Sequence, residues 1–221
     1  MKPIWRNYRL LVISLIAGLA LSACARADHD YFKPSDEKVP LPDGLSAEEI
    51  VVETSDGEHL FAWYVPALEG CPTLLMLHGR SGHIGRGVEK YGKVHDAGVG
   101  LLALSWRGYA GSSGTPSEAG LFADAEAGYR FLKMNGLENE QIVVHGFSLG
   151  TAPATKLARD VELAALILEA PAFSILDLYR ERYPEVPATR FAYHAFRTDL
   201  FIPAVTEPIL MVHGDADTAI P

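Results

Sequence analysis

The chain has 221 residues, 48% hydrophobic and 21% charged, a composition that suits one globular domain with a sizeable core and argues against a disordered or low-complexity protein. A formal charge of −9 argues against nucleic acid as a partner, because an acidic surface repels the phosphate backbone. With only two cysteines, Cys24 and Cys71, no disulfide framework is expected to carry the fold.

At the N-terminus Lys2, Arg6 and Arg9 precede an apolar run from Leu10 to Leu21, closed by Leu21-Ser22-Ala23-Cys24. A basic start, a run of about twelve mostly apolar residues and a small-residue ending form an export signal, and the run is shorter than the roughly 18 to 20 residues of a spanning helix. The ending resembles a bacterial lipobox. That resemblance implies that residues 1–23 are a signal peptide and that Cys24 is lipidated and becomes the first residue of an envelope protein. Ala25, in place of an aspartate, then implies sorting to the outer membrane, facing the periplasm, so a membrane is an expected partner through the lipid. Loss of three positive charges with the signal takes the formal charge to −12. Cys71 is then alone, and its place beside Pro72 at the edge of an apolar strand predicts a buried, inert thiol.

Residues 24–46 are polar and contain Pro34, Pro40 and Pro42 without an apolar period, the pattern of a tether with little structure. Glu49 to Thr54 and Leu60 to Pro66 flank Asp56-Gly57 and predict an antiparallel hairpin. From Thr73 onward strands and helices alternate. Leu74–Leu77 is followed by a helix near 88–97, Leu101–Leu104 by a helix from about Ser117 to Met134, and Gln141–His145 by a helix-compatible stretch from Thr151. Ala164–Leu168 and Ile209–Val212 are the last strands. Continuously apolar strands separated by helices predict an α/β fold, a mostly parallel sheet covered on both faces, with ligands beyond the carboxyl ends of the strands. Residues 171–203 break the alternation with seven aromatic residues, among them Tyr179, Tyr183, Phe196 and Phe201, and predict a small cap over the site, with aromatic core packing as the alternative.

The chemistry-bearing motifs stand at those strand ends. Gly146-Phe147-Ser148-Leu149-Gly150 places a serine on a strand-to-helix turn, where glycines two residues away avoid collisions with neighbouring backbone. The free N–H groups of the following helix point at the same spot. A Gly-x-Ser-x-Gly sequence alone is a weak signal, and context must support it. His78-Gly79-Arg80-Ser81-Gly82 follows the first parallel strand and sets the backbone N–H of Arg80 opposite that of Leu149, two donors for one developing oxyanion. His78 itself reads as a structural residue. Ser105-Trp106-Arg107-Gly108-Tyr109-Ala110-Gly111-Ser112 follows the next strand, and Gly214-Asp215-Ala216-Asp217 follows the last.

From about Glu49 to its last residue the chain resembles the alpha/beta-hydrolase superfamily, close to its monoglyceride-lipase and serine-aminopeptidase-like branch. It departs from the family pattern at Ser105, Ala110 and Pro153, the last expected to remove a helix donor and to kink the helix. The resemblance implies an eight-stranded, mostly parallel sheet, of which 47–221, with a cap at about 171–203, is the C-terminally incomplete part, and an acyl-enzyme mechanism. It implies Ser148 as nucleophile, Asp217 as acid with Asp215 as the alternative, and the backbone N–H groups of Arg80 and Leu149 as the oxyanion hole. No metal and no cofactor are implied, and the expected substrate is a small to medium apolar acyl compound.

In the family the base is a histidine one helix and one strand beyond the acid, but this sequence stops four residues after Asp217. None of its eight histidines has that position, and His194 or His83 would serve only by an unusual route. The expectation is a chain truncated before its last helix, strand and helix, inactive as it stands. The alternatives are a natural short form that is a non-catalytic lipoprotein binding an acyl ligand or a protein partner, or, within enzymes, an amidase, aminopeptidase or acyl-transferase. Oligomeric state is open.

Overall fold

The computed structural model describes residues 32–37, 40–41, 44–186 and 194–220. The export signal and Cys24 therefore lie outside the described residues. Residues Pro34–Pro221 make one compact unit, and Phe32 and Lys33 are the described part of a separate N-terminal one.

The sheet begins with β1 (Glu48–Glu53) and β2 (His59–Val65), joined through Asp56-Gly57. Gly57 takes φ +87°, a conformation that favours glycine, while the Thr54 hydroxyl donates to Asp56 at 2.6 Å and closes the turn. The remaining strands are β3 (Thr73–Leu77), β4 (Gly100–Leu104), β5 (Ile142–Phe147), β6 (Ala165–Glu169) and β7 (Ile209–Val212). Their order is β1-β2-β4-β3-β5-β6-β7, antiparallel at β1–β2 and β2–β4 and parallel elsewhere. The family resemblance implied eight strands; the described residues contain seven.

Strand alternation divides the core. Leu74, Met76, Leu101, Ala103 and Trp63 share one cluster with Tyr91 of α1 (Val88–Asp96), whose ring meets Trp63 edge-on. On the opposite face Leu75 meets α2 (Glu118–Met134) at Gly128, where a Cβ would lie 2.9 Å from a Leu75 methyl. A small residue there lets the helix sit close to the sheet. Ser117 caps α2 by accepting from the Gly120 amide at 3.0 Å. The helix α3 (Thr151–Asp160) follows β5, α4 (Ile175–Arg182) follows β6, and α5 (Thr198–Phe201) precedes β7. Among the described residues no helix is long and apolar enough to cross a membrane.

Several local expectations need correction. The supposed tether is partly built into the fold: Leu45 is buried in the core cluster, Leu41 packs against it, and Pro34 bridges to Gly82. Two leucines in a polar segment are too few to set up a period, so their burial had no sequence signal. Cys71 is half-buried, in a turn closed by its own N–H on Leu68, rather than in the core. Pro153 lies in the first turn of α3, which runs on to Asp160 as one helix, since a first-turn proline removes few intrahelical bonds. In the cap region Phe196 and Phe201 meet the Phe122 ring of α2 edge-on, so these two of the seven aromatic residues anchor the segment. Phe191 and Tyr193 lie outside the described residues.

Candidate active site

Ser148 ends β5 with φ +51°, a left-handed conformation that costs a serine of order 1–3 kcal/mol and persists only where the surroundings impose it. The two motif glycines are what those surroundings demand. A Cβ on Gly146 would lie 2.5 Å from the Gly150 carbonyl oxygen, and one on Gly150 would lie 2.2 Å from that of Leu77. Thr151 then donates its hydroxyl to the Ser148 carbonyl at 2.6 Å, and Thr155 repeats the pattern on Thr151. Leu149 is buried behind the turn.

The loop after β3 is pressed against this elbow. At Gly79 a Cβ would be 3.0 Å from the Phe147 ring and 3.3 Å from the Ser148 Cβ, so the loop backbone lies beside the predicted nucleophile. The Gly79–Arg80 peptide, which carries the predicted oxyanion donor, is held by its carbonyl: His78 Nδ1 donates to the Gly79 oxygen at 2.8 Å. His78 Nε2 accepts from the Trp106 amide at 3.3 Å, which assigns the ring proton to Nδ1. Burial keeps the ring neutral, with its pKa lowered to about 4. Trp106 Nε1 returns a bond to the His78 carbonyl, and the Tyr109 hydroxyl donates to the Arg80 carbonyl at 2.7 Å. His78 is thus a support for the loop, as its place in the sequence suggested.

Arg107 is likewise structural. Its amide and Nε donate to the fully buried Asp124 of α2, and its two terminal nitrogens donate to Asp56 in the hairpin turn. The Arg107 guanidinium holds the Asp56 carboxyl well below the usual carboxylate range.

The acid end of the site has a different character. Asp217 accepts from the amides of Ala219 at 2.7 Å and Ile220 at 2.9 Å, and these bonds hold its carboxyl below the ordinary range. His213 Nε2 lies 3.8 Å from Asp217 and 2.7 Å from the Ile220 carbonyl. Asp215, the alternative acid, is exposed. The other described imidazoles face elsewhere: His194 accepts from the Glu118 amide, His83 faces Glu37, and His145 bonds Glu169 at 2.9 Å. Among the described residues, then, no imidazole hydrogen-bonds the Ser148 hydroxyl.

Beside the elbow lies a cavity of about 500 Å³ that includes Gly79 and Phe147 in its wall, with Tyr91, Lys90, His145 and Glu169 around it. The last three form an ionic cluster. Burial raises the Glu169 carboxyl, but Lys90 and His145 outweigh it and hold the group ionised, while burial and then Lys90 keep His145 neutral. No sequence feature singled out Glu169 or Lys90, because the cluster depends on the β5–β6 register that sets Phe147 opposite Glu169. Tyr179 of α4 accepts from Arg80 Nη1 at 2.7 Å and stacks on Tyr183.

The family described as Serine aminopeptidase, S33 (Hydrolase_4) matches residues 70–201. An uncharacterized protein of Mycobacterium tuberculosis is 31% identical over 216 residues, which cover 95% of this chain and 77% of that protein. The alpha/beta hydrolase domain-containing protein 17C of Xenopus laevis is 35% identical over 170 residues, 76% of this chain and 53% of its own length. Among solved structures, an alpha-beta hydrolase from Vibrio vulnificus superposes with a TM-score of 0.71 at 22% identity, covering 85% of this chain and 74% of that one. An esterase of Pyrococcus furiosus gives 0.67 at 20% identity, with coverages of 86% and 79%. At these identities the solved structures establish the fold alone.

Proposed function

The chain belongs to the serine aminopeptidase S33 family of alpha/beta hydrolases, and from that premise we propose that it is a serine hydrolase that cleaves ester or related acyl bonds through an acyl-enzyme. The observation that carries this reading is Ser148 itself, held at φ +51° between two glycines that no larger residue can replace and against the loop that brings the Arg80 amide. Strain of this kind is kept where it presents a side chain for use.

In the proposed reaction the Ser148 oxygen attacks the acyl carbon while its proton passes to a general base. The carbonyl π electrons move to oxygen, and the N–H groups of Arg80 and Leu149 stabilise that charge. Collapse of the tetrahedral adduct expels the alkoxide or amine, which takes the proton from the base. Water, deprotonated by the same base, then attacks the acyl-enzyme, and its collapse releases the acid and restores the Ser148 hydroxyl. Asp217, ionised, is the group that orients and stabilises the base. A small to medium apolar acyl compound remains the expected substrate class, and membrane attachment through a lipidated Cys24 is part of the same proposal.

A fluorophosphonate reports directly on an activated serine. Rapid labelling that disappears in Ser148→Ala, with a loss of ester hydrolysis on the order of 10⁴-fold, supports the reading. Retained hydrolysis in the folded variant overturns it. A second reading is a non-catalytic relative that binds an acyl ligand in the same place. Absence of labelling in a folded chain that carries the base selects that reading. For the anchor, incorporation of a fatty-acid analogue should vanish in Cys24→Ala, and persistence of the label refutes lipidation there.

A further inference from the structure

We propose that Arg182, on the cap helix α4, is a positioning residue for Asp217 and acts through the two peptide groups that lie between them. Arg182 Nη2 donates to the carbonyl oxygens of Thr218 at 2.9 Å and Ala219 at 3.0 Å. Those carbonyls belong to the peptide units whose N–H groups are on Ala219 and Ile220. The same two N–H groups donate to Asp217 Oδ1 at 2.7 and 2.9 Å. In a trans peptide the C=O and N–H point in opposite directions, so each unit faces the guanidinium with its oxygen and the carboxylate with its hydrogen. A cation on one side and an anion on the other polarise both units in the sense that strengthens all four bonds. Nη2 has two hydrogens, one for each carbonyl.

The placement follows from α4. Ser174 caps the helix by accepting from the Asp177 amide, and an arginine in the last turn complements the negative end of the helix dipole. Tyr179 and Arg182 are three residues apart, a spacing that puts them on one helix face. Tyr179 receives Arg80 from the loop after β3, and Arg182 reaches the loop after β7. One helix face therefore ties together the two loops that flank the proposed reaction.

The titratable and charged groups that face Asp217 among the described residues are the His213 imidazole, at 3.8 Å, and the Arg182 guanidinium across the two peptides. Both favour its ionised form, after the two amides themselves. Because Arg182 is exposed, the effect is open to screening by salt.

The functional meaning of this link rests on the hydrolase reading, but its test needs no turnover. In the full chain labelled with carboxyl-¹³C aspartate, the Asp217 signal, assigned by its loss in Asp217→Asn, is titrated by NMR. The midpoint should rise in Arg182→Met, return toward wild type in Arg182→Lys, and be accompanied by faster exchange of the Ala219 and Ile220 amide hydrogens in Arg182→Met. Arg182→Gln, which keeps a donor without the charge, replaces the Met variant should that one unfold, and the same rise is expected. An unchanged midpoint and unchanged amide exchange in a folded variant overturn the proposal. Failure of fluorophosphonate labelling in a folded chain that carries the base, with a shifted midpoint, would sink the hydrolase reading and leave the Arg182–Asp217 link standing.

Discussion

Strands β3 and β4 have no exposed residue, whereas all four residues of β7 are exposed, although TLLML, GLLAL and ILMV are similarly apolar. The proposed oxyanion loop follows β3 and the proposed nucleophile follows its neighbour β5, whereas the proposed acid follows β7. At the centre, geometry is imposed by contacts between backbone atoms at the limit of approach. At β7 it is imposed by a few hydrogen bonds: two amides on Asp217, one imidazole on Ile220 and one guanidinium on two carbonyls. The comparison teaches that the two halves of one site can be positioned by unlike forces, steric at the elbow and electrostatic at the acid, and should fail in unlike ways.

The severest way to break that contrast is a single methyl group at the elbow. Gly150→Ala puts a Cβ 2.2 Å from the Leu77 carbonyl oxygen, a backbone atom that cannot rotate aside. A destabilisation of about 4 kcal/mol or more is expected in urea denaturation, at the upper end for point substitutions. Gly214→Ala in the acid loop meets nothing within 4 Å and should cost less than about 1 kcal/mol. Equal costs would mean that the elbow is no tighter than the edge.

Second in size is Arg107→Met, which leaves the carboxylate of Asp124 fully buried with only one backbone donor. Removing one member of a buried pair costs about 3–5 kcal/mol, and about 3 is expected here because the Arg107 amide remains. A cost under about 1 kcal/mol, by the same denaturation, would show that Asp124 is not held as a charge.

These central features were the legible ones. Gly146-Phe147-Ser148-Leu149-Gly150 could be read because the constraint is local: strand, turn and helix are consecutive, and the colliding atoms belong to the motif or to the adjoining strand. The parallel sheet was legible in the continuously apolar strands. Glu169 and Lys90 were not, because their meeting with His145 needs a strand register and the docking of α1. Arg182 was not either, for its partners are carbonyl groups, which every residue has and no side-chain pattern reveals. Leu45 was hidden in a polar segment whose proline content pointed to a tether.

A gentler probe of the centre is acid. His78 has its pKa lowered by burial from 6.5 to about 4, and burial lowers His145 in the same direction. Between those two pH values the unfolded chain binds a proton at His78 that the folded chain does not. The stability that the neutral His78 contributes is therefore complete above about 6.5 and is lost progressively as the pH falls toward 4, against the opposite contribution of buried Asp124, whose carboxyl is raised to about 6. Thermal unfolding of wild type should show that decline, and His78→Asn, which removes the titrating ring, should flatten it. An unchanged slope in the variant would assign the decline to other groups.

The smallest effect is expected at the edge, and it sharpens the comparison most. Leu102 of β4 is 0% exposed and Leu210 of β7 is 56% exposed, yet both are leucines in parallel strands of one sheet. Removing a leucine side chain from a packed core loses its transfer energy and opens a cavity, so Leu102→Ala should cost about 2–5 kcal/mol. Leu210→Ala loses contacts on one side of a strand that solvent already reaches, leaves no cavity, and should cost less than about 1 kcal/mol. Among the described residues one edge of β7 carries no further strand, and an apolar strand edge is a template for association. Leu210→Lys should raise the protein concentration at which light scattering first appears, with little change in unfolding midpoint. Were Leu210→Ala instead to cost as much as Leu102→Ala, β7 would be covered in solution, and the acid loop would be held by packing in the same manner as the elbow.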